Sequence, residues 1–220
     1  MTLGAPATLG DAQLTAGQRT LLTALATSEL AEQFHLSGAT ALAAFFLRHR
    51  RSADLDLFCA EPVDLLAVQA FLAGVPGLTI DRFHRHPDRW IFLTRVREER
   101  VEVEFTRFPF LAEAGPLRVG GLRLESPRDA LLNKLHAMCG REDGKDDVDV
   151  YLLLERGVAA TLAEPLAAAE RKFGLPGMPW ILQRRLLRVP NDLPPTTPVI
   201  ERAALVARFR AEAEGLIPHK

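Results

Sequence analysis

Hydrophobic and polar positions follow two different periods along this 220-residue chain, and the change falls near residue 125. Before that point apolar residues tend to alternate with polar ones, which predicts strands with one exposed face. Beyond it they recur every three or four positions, which predicts amphipathic helices. The predicted strands span residues 78–83, 90–96 and 101–107. The predicted helices span residues 127–139, 146–155, 162–173, 180–188 and 199–214.

Shorter elements are predicted within the first 125 residues. Further helices are predicted at residues 14–31, 41–47 and 61–73, and further strands at 34–37, 53–58 and 117–124. The last strand is interrupted by Gly120-Gly121, which indicates a bulge or a second hairpin. The sequence therefore predicts an α+β fold with a mixed sheet flanked by helices over residues 1–125. A helical C-terminal extension, residues 126–220, is expected to pack on that core.

Composition is ordinary for a globular protein, with 48% hydrophobic and 25% charged residues. The formal net charge of −1 gives no general reason to expect a nucleic-acid partner. Cys59 and Cys139 form no CxxC motif and are too few for a disulfide framework, so reduced thiols in a cytoplasmic protein are expected. No signal peptide is expected, and no apolar run reaches the roughly 18 residues that span a membrane.

Charge is nevertheless uneven along the chain. Between Arg82 and Arg100 there are six arginines, against only three acidic residues, Asp88, Glu98 and Glu99. Such a local excess of positive charge could hold phosphate, or could be the ordinary solvated face of a hairpin. The sequence leaves both interpretations open.

Two aspartates, Asp54 and Asp56, stand at alternate positions of the strand predicted at 53–58. Because successive strand residues point to opposite faces, their carboxylates share one face. They repel each other unless a cation lies between them, and Mg²⁺ takes such oxygen ligands while leaving room for phosphates. The alternative is a pair of solvated charges. The Ser37-Gly38 turn favours a phosphate site, because backbone N–H groups at the start of a helix bind anions.

This order of turn, helix and Asp-x-Asp strand resembles the nucleotidyltransferase signature of the DNA polymerase β-like superfamily. A closer resemblance is to the AbiEii/AbiGii family, the nucleotidyltransferase toxins of toxin–antitoxin and phage-defence systems. The residues that carry it are Gly38, Thr40, Ala41, Leu42, the HRRS run at residues 49–52, Asp54, Asp56 and Phe58. The resemblance implies a polymerase β-like core that transfers a nucleoside monophosphate from a nucleoside triphosphate (NTP) to an acceptor hydroxyl.

The superfamily places a third carboxylate on a neighbouring strand, where it completes the catalytic metal site. The best candidate is in the VEVEF segment at residues 101–105, where Glu102 and Glu104 share one face. Glu104 stands between apolar neighbours, as the superfamily pattern requires. The toxin family more often has aspartate here, with a basic residue two positions earlier. The alternative is an exposed strand face that carries two solvated glutamates.

A second run, residues 134–153, matches another feature of the same toxin family. The matching residues are Lys134, Arg141, Asp146, Asp149 and Tyr151, with Lys145 where arginine is more usual. Lysines and aspartates at helical spacing ordinarily form a solvated helix pair joined by ion pairs. The resemblance implies instead that Lys134 lies near the triphosphate and that Asp146 faces the same cleft.

The resemblance implies a role for each candidate residue. The implied ligands of two Mg²⁺ ions are Asp54, Asp56 and Glu104. The implied catalytic residues are those three together with Lys134 and Asp146. The implied nucleotide-binding residues are Ser37, Gly38, Thr40, Arg50, Ser52 and Lys134. The implied partners are an NTP, an RNA acceptor such as a tRNA 3′ end, and an antitoxin protein.

Two departures from the family pattern keep other functions open. Ala39 stands where a second glycine is common, and a positive φ there would cost about 1 kcal/mol or more. Glu102 adds negative charge where the family usually has a base. These two residues keep open a non-catalytic relative that binds a nucleotide or a partner protein. The modest net charge also allows a small-molecule nucleotidyltransferase, as in antibiotic modification, as an alternative to an RNA-modifying toxin.

Overall fold

A computed structural model describes residues 3–216, and these group into two compact units. The first unit, Ala5–Ser126, contains every strand found in the described residues. The second unit consists of the described residues from 127 onward, joined by residues 3 and 4, and its regular elements are helices. The chain thus has the α+β architecture and the helical C-terminal part that its hydrophobic periods predict.

Strands of the first unit form one mixed sheet, which contains seven strands in the described part of the chain. The strands are β1 (His35–Ser37), β2 (Asp54–Cys59), β3 (Leu78–His86), β4 (Arg89–Val96), β5 (Glu99–Arg107), β6 (Leu117–Val119) and β7 (Leu122–Leu124). Their order across the sheet is β3-β4-β5-β2-β1-β7-β6. β2 and β5 pair in parallel, as do β1 and β7, while the other neighbours are antiparallel. The parallel pairing of β2 with β5 places the two acidic segments side by side.

One face of the sheet carries the aromatic core of the first unit. The rings of Phe34 and Phe92 meet the ring of Phe105 edge-on, at centroid distances of 5.2 and 6.0 Å. All three side chains are buried. Since strand residues alternate between faces, the polar positions of β2 and β5 are left on the opposite, open face.

Helices of the first unit enclose that core. They are α1 (Ala16–Ala26), the short α2 (Gly38–Thr40), a π-helical segment (Ala41–Leu47) and α3 (Leu65–Gly74). A capping box between Thr15 and Gln18 begins α1, which buries Leu21, Leu22 and Leu25. The helix is shorter than the predicted 14–31, because it stops at Ala26 before a separate 3₁₀ turn.

The helix predicted at 41–47 is wound as a π-helix, with every side chain buried. The Arg48 N–H donates to the carbonyl of Ala43, five residues earlier, at 3.0 Å. Arg48 then leaves the helix with a left-handed φ of 53°. Apolar periodicity alone does not separate an α-helix from a π-helix, and π-helical turns concentrate at functional sites.

Two hairpins complete the first unit. The turn between β4 and β5 lies at Arg97-Glu98, and Arg97 has a positive φ of 56°. Gly120 and Gly121 both have positive φ and join β6 to β7 directly. The glycine pair therefore forms a two-residue hairpin turn, which is the second of the two predicted possibilities.

Helices of the second unit surround a core of leucines and Phe209. They are α4 (Pro127–Gly140), α5 (Gly144–Glu155), α6 (Ala163–Phe173), α7 (Met178–Leu186) and α8 (Arg202–Gly215). α4 contacts α5, α6 and α7, and α8 contacts α5 and α7. Of the helices within residues 3–216, none is long and apolar enough to cross a membrane.

Candidate active site

Four carboxylates stand on the open face of the sheet, in two neighbouring rows. Asp54 pairs with Glu102, and Asp56 pairs with Glu104. Because paired residues of adjacent strands point to the same face, the sheet brings all four carboxylates together. The sequence predicts a shared face within each strand, but only the sheet order places one strand against the other.

The turn before α2 meets the Asp56 carboxylate directly. Gly38 has a positive φ of 65°, and a Cβ built on it would lie 2.1 Å from Asp56 Oδ2. Only glycine fits a backbone that is both left-handed and this close to a side chain. The positive φ falls on Gly38 and not on Ala39, so the strain expected at Ala39 does not arise.

The hydroxyls of the turn are engaged inside the protein. Thr40 Oγ1 donates to the backbone carbonyl of Asp54 at 2.5 Å, and Ser37 Oγ donates to Glu125 Oε2 at 2.8 Å. Ser37, Thr40 and Glu125 are all buried. These bonds hold the turn against the beginning of β2, so both hydroxyls are engaged within the protein. Sequence reasoning missed Glu125, an acidic residue that directly follows a buried strand.

The loop between the π-helical segment and β2 is held by α1. Gln18 Nε2 donates to the carbonyls of Ser52 and Ala53, at 2.8 and 3.0 Å. Arg50 lies on this loop and is buried, at 8% exposure. The loop therefore has a defined path into β2, and contact of Arg50 or Ser52 with phosphate stays a prediction.

Glu104 is held by two neighbours on the same face. Arg89 Nη2 lies 2.5 Å from Glu104 Oε2, and Thr106 Oγ1 donates to Glu104 Oε1 at 2.6 Å. Glu104 is buried, whereas half of the Arg89 side chain is exposed. Sequence reasoning missed Arg89, because its proximity to Glu104 follows from the pairing of β4 with β5.

The negative charge of Glu102 is only partly compensated. Burial raises the pKa of its carboxyl, and repulsion from Asp54 and Glu104 raises it further. Arg89 and His84 offset part of this effect. A raised pKa among neighbouring carboxylates means that added positive charge would be stabilised at this place.

The donor chemistry of the face suits Mg²⁺, which prefers carboxylate oxygens. Asp54 is exposed and Asp56 half-buried, so a cation has access to both. Within residues 3–216, however, no group of three or more His, Cys, Asp or Glu side chains is arranged to hold a metal ion. Glu104 instead contacts Arg89, and it reaches a metal only by leaving that partner.

In the helical unit, Lys134 stands in a buried ion network. Its Nζ lies 2.7 Å from Asp146 Oδ1 and 2.9 Å from Asp149 Oδ2, and Arg141 Nε donates to Asp146 Oδ2 at 2.7 Å. Both aspartates are fully buried. The interpretation of these residues as a solvated helix pair was therefore wrong, because the two carboxylates are enclosed between α4 and α5.

Charge pairing in this network is strong enough to overcome burial. Burial lowers the pKa of Lys134, but the carboxylates of Asp149 and Asp146 outweigh it, and the net pKa is raised. Burial likewise raises the pKa of Asp146, yet the hydrogen bonds from Arg141 and Lys134 bring it below its usual range. Lys134 and Asp146 are thus both charged at neutral pH.

Two solved structures share the fold of this chain. The nucleotidyltransferase toxin MenT4 (Rv2826c) of Mycobacterium tuberculosis H37Rv aligns with a TM-score of 0.61 at 19% identity, over 90% of this chain and 80% of its own. JHP933 from Helicobacter pylori aligns with a TM-score of 0.53 at 17% identity, over 90% and 88%. At these identities the likeness shows the fold alone. No curated protein matches the sequence.

The sequence profile of one family covers most of the chain. It is described as the nucleotidyl transferase AbiEii toxin of type IV toxin–antitoxin systems, and it matches residues 20–215. The family resemblance, the nucleotidyltransferase fold and the enzyme class that the sequence predicts are thereby confirmed. With the signature turn, the Asp-x-Asp strand and this match together, the chain belongs to the AbiEii family of nucleotidyltransferase toxins.

Proposed function

We propose that this nucleotidyltransferase moves a nucleoside monophosphate from an NTP to a hydroxyl of RNA, in a reaction that depends on Mg²⁺. The observation that carries the proposal is one row across the sheet. Ser37 pairs with Asp56, and Asp56 with Glu104, while the backbone of Gly38 lies against the Asp56 carboxylate. A phosphate-binding turn, two aspartates and a third carboxylate are thus adjacent.

The donor side of the site lies at the turn. The backbone of residues 37–40 holds the triphosphate, since the left-handed Gly38 opens the turn beside Asp56. Asp54 and Asp56 hold Mg²⁺, with Glu104 as a third ligand once it leaves Arg89. Mg²⁺, when bound, supplies positive charge that offsets the negative charge of the phosphate oxygens. Arg50 and Ser52 hold the loop that leads into the metal-binding strand.

In the transfer step the acceptor hydroxyl oxygen forms a bond to the α-phosphorus. The bond from that phosphorus to the bridging oxygen of the β-phosphate breaks, and pyrophosphate leaves. The hydroxyl gives its proton to the carboxylate of Glu104. This residue pairs with Asp56 on the side of β2 that lies away from the turn. Positioning and charge stabilisation account for most of the rate enhancement in such transfers.

Lys134 and Asp146 have supporting roles in the proposal. Lys134 binds the triphosphate, and Asp146 holds the lysine side chain in place from 2.7 Å. The raised pKa of Lys134 supports this role, because the side chain stays charged at any physiological pH. The family description names a toxin of a toxin–antitoxin system. Growth arrest by RNA modification, restrained by an antitoxin, is the biological role that the proposal assigns.

The test is incubation of the purified protein with Mg²⁺, total RNA and each α-³²P-labelled NTP in turn. Label that enters RNA from one NTP, and is lost in Asp56→Asn, is the expected result. Label that enters only small acceptors such as aminoglycosides would show that the acceptor is a small molecule. Transfer that survives in Asp56→Asn would overturn the assignment of the site.

A further inference from the structure

The open face of the sheet continues past the carboxylates onto β4 and β3, where its charge changes sign. Arg82 pairs with Leu93, and Leu93 pairs with Glu102, so Arg82 lies in the same row as Asp54. Arg100 precedes Glu102 by two positions on β5 and therefore shares its face. The acidic site thus has a basic border on the β3 side.

Arg82 and Arg100 differ from their basic neighbours in having no partner. Arg89 pairs with Glu104, and Arg95 pairs with Asp81. Across the described part of the chain, neither guanidinium of the border, Arg82 or Arg100, makes a hydrogen bond or an ion pair, and both side chains are exposed. Two such cations beside an acidic cluster are available to an anion from outside the molecule.

A groove lies between this border and the carboxylates. It has a volume of about 560 Å³, and its lining includes Asp54, Arg82, Leu93, Arg100 and Glu102. That volume is within the range of ligand pockets, about 300–1,000 Å³. The lining also includes Asp81, whose carboxylate pairs with Arg95. The guanidinium groups of Arg82 and Arg100 are suited to a phosphate, and the carboxylates of Asp54 and Glu102 can accept hydrogen bonds from sugar hydroxyls.

The groove is on the far side of the site from the turn. Ser37 and Gly38 approach Asp56 from β1, whereas Arg82 and Arg100 lie on β3 and β5, beyond the opposite edge of β2. An NTP on the turn and a second substrate in the groove would therefore reach the carboxylates from opposite sides. This is the arrangement that transfer between two substrates requires.

We propose that the groove binds the single-stranded end of the RNA acceptor, with Arg82 and Arg100 on its phosphates. The inference rests on the proposed function, which puts the NTP at the turn. Single-stranded RNA fits because it offers successive phosphates to two cations and ribose 2′-hydroxyls to a carboxylate such as Glu102. A small acceptor without phosphates would leave both arginines unused.

The test is RNA binding without NTP, so that no transfer is needed. A short fluorescein-labelled single-stranded RNA is titrated with full-length protein, and anisotropy is followed at several salt concentrations. Arg82→Ala and Arg100→Ala should each weaken binding, and each should reduce the slope of log K against log salt by about 0.7, as expected for one lost phosphate contact. A single-stranded DNA of the same sequence should bind more weakly than the RNA.

Arg85→Ala is the matched control. Arg85 is an exposed arginine of the same strand, but it pairs with Trp90 and lies on the opposite face from Arg82. The control should bind RNA as the wild type does, with the same salt slope.

Three results would overturn the inference: no RNA binding by the wild type, equal losses in Arg82→Ala and Arg85→Ala, or unchanged salt slopes. Failure of the proposed function is distinguishable from these. If RNA binding depends on Arg82 and Arg100 but no NTP transfers label, the proposed RNA-binding groove is supported and the proposed reaction is contradicted. If label enters RNA in both arginine variants as well as in the wild type, the proposed reaction is supported and the proposed RNA-binding groove is contradicted.

Discussion

The two units of this protein treat their carboxylates in opposite ways. On the open sheet, Asp54 and Glu102 stand side by side, and their repulsion contributes to the raised pKa of Glu102. In the helical unit, Asp146 is fully buried, yet Lys134 and Arg141 hold its pKa below the usual range. Positive charge offsets only part of the repulsion at Glu102, whereas the cations around Asp146 outweigh its burial. The contrast fits a ligand-binding role for the sheet carboxylates, as proposed above, and a structural role for the buried ion network.

Replacing Asp56 with asparagine should have the largest effect on activity. The change removes the proposed metal ligand beside the turn, so nucleotidyl transfer should fall by about 10³-fold or more. The free energy of unfolding should change less than in a variant of the fully buried Asp146, because Asp56 is only half-buried. Labelled-NTP transfer and urea denaturation measure the two quantities.

Asp88→Asn is the control for that variant, since Asp88 is an exposed residue at the β3–β4 turn whose ion pair with Arg107 is long, at 3.5 Å. It should leave transfer unchanged. A large loss of stability in Asp56→Asn would contradict the contrast between the two units, since it would show that the Asp56 carboxylate stabilises the fold.

Replacing Lys134 with methionine should have the largest effect on stability. Asp146 and Asp149 would remain buried without their cation, which typically costs about 3–5 kcal/mol of unfolding free energy. Lys145→Met, at an exposed position of α5, should cost far less. Urea denaturation at neutral pH compares the two.

Activity of the folded fraction separates the two roles of Lys134. A Lys134→Met protein that is destabilised and also loses transfer per folded molecule fits the proposed contact with the triphosphate. Full transfer per folded molecule would limit Lys134 to the ion network.

Replacing Gly38 with alanine should affect activity far more than stability. The new Cβ would overlap Asp56 Oδ2, and displacement of that carboxylate by about 1 Å should lower transfer by about 10²-fold. Gly174 provides the control, since it has a similar φ of 61° at the end of α6 but open space around it. Both variants should lose about 1–2 kcal/mol of stability from the left-handed backbone, whereas only Gly38→Ala should lose transfer. Equal transfer by the Gly38→Ala and Gly174→Ala proteins would show that the close approach of Gly38 to Asp56 has no part in the reaction.

Replacing Arg89 with alanine should tighten Mg²⁺ binding about fivefold. Glu104 would no longer have to leave its half-exposed partner to reach the proposed metal, and ion pairs with solvent access contribute about 1 kcal/mol. Isothermal titration calorimetry with MgCl₂ and protein alone measures the affinity, with Arg95→Ala as the control because its partner is Asp81. Weaker binding in Arg89→Ala would show that Arg89 positions Glu104 and does not compete for it.

The smallest effect should be that of Glu102→Gln on stability, and it should depend on pH. Because the pKa of Glu102 is raised in the folded state, its ionisation costs stability as the pH rises from the ordinary glutamate range through the raised value. Glu102→Gln should therefore stabilise the protein at neutral pH, by about 0.5 kcal/mol after solvent screening, and the gain should vanish in acid.

Asp146→Asn should show the opposite trend. The lowered pKa of Asp146 contributes stability at neutral pH, and that contribution is lost as the pH falls through the lowered value. The variant should therefore be least stable, relative to wild type, at neutral pH. Thermal unfolding across the acid-to-neutral range measures both variants, and parallel pH trends would remove the distinction between the two units.

Much of the fold follows from periodicity, because strands and helices expose alternate or every third to fourth residue. Alternation in β2 and β5 placed Asp54 with Asp56, and Glu102 with Glu104, on common faces. The exceptions are local in origin. The segment Ala41–Leu47 is a π-helix, in which each backbone hydrogen bond spans five residues. The spacing of its apolar residues does not distinguish this type of helix from an α-helix.

Side-chain partners were much less predictable. Arg89 with Glu104 and Ser37 with Glu125 are contacts between strands or loops that lie apart in sequence. Nothing in the local pattern around Glu104 indicates that both of its oxygens are engaged. The strain expected at Ala39 was also misplaced by one residue, because the turn's left-handed backbone falls on Gly38.

The sequence by itself determined the signature turn, the Asp-x-Asp strand, the candidate third carboxylate and the family to which they point. Only the tertiary structure decided which of its charges are neutralised. Glu102 and Asp146 both belong to regularly spaced acidic patterns. On the open sheet, the charge of Glu102 is only partly offset by nearby cations. In the helical unit, Asp146 is paired with Lys134 and Arg141. The physical reason is that charge interaction depends on distance and burial, and both are set by elements that meet only after folding.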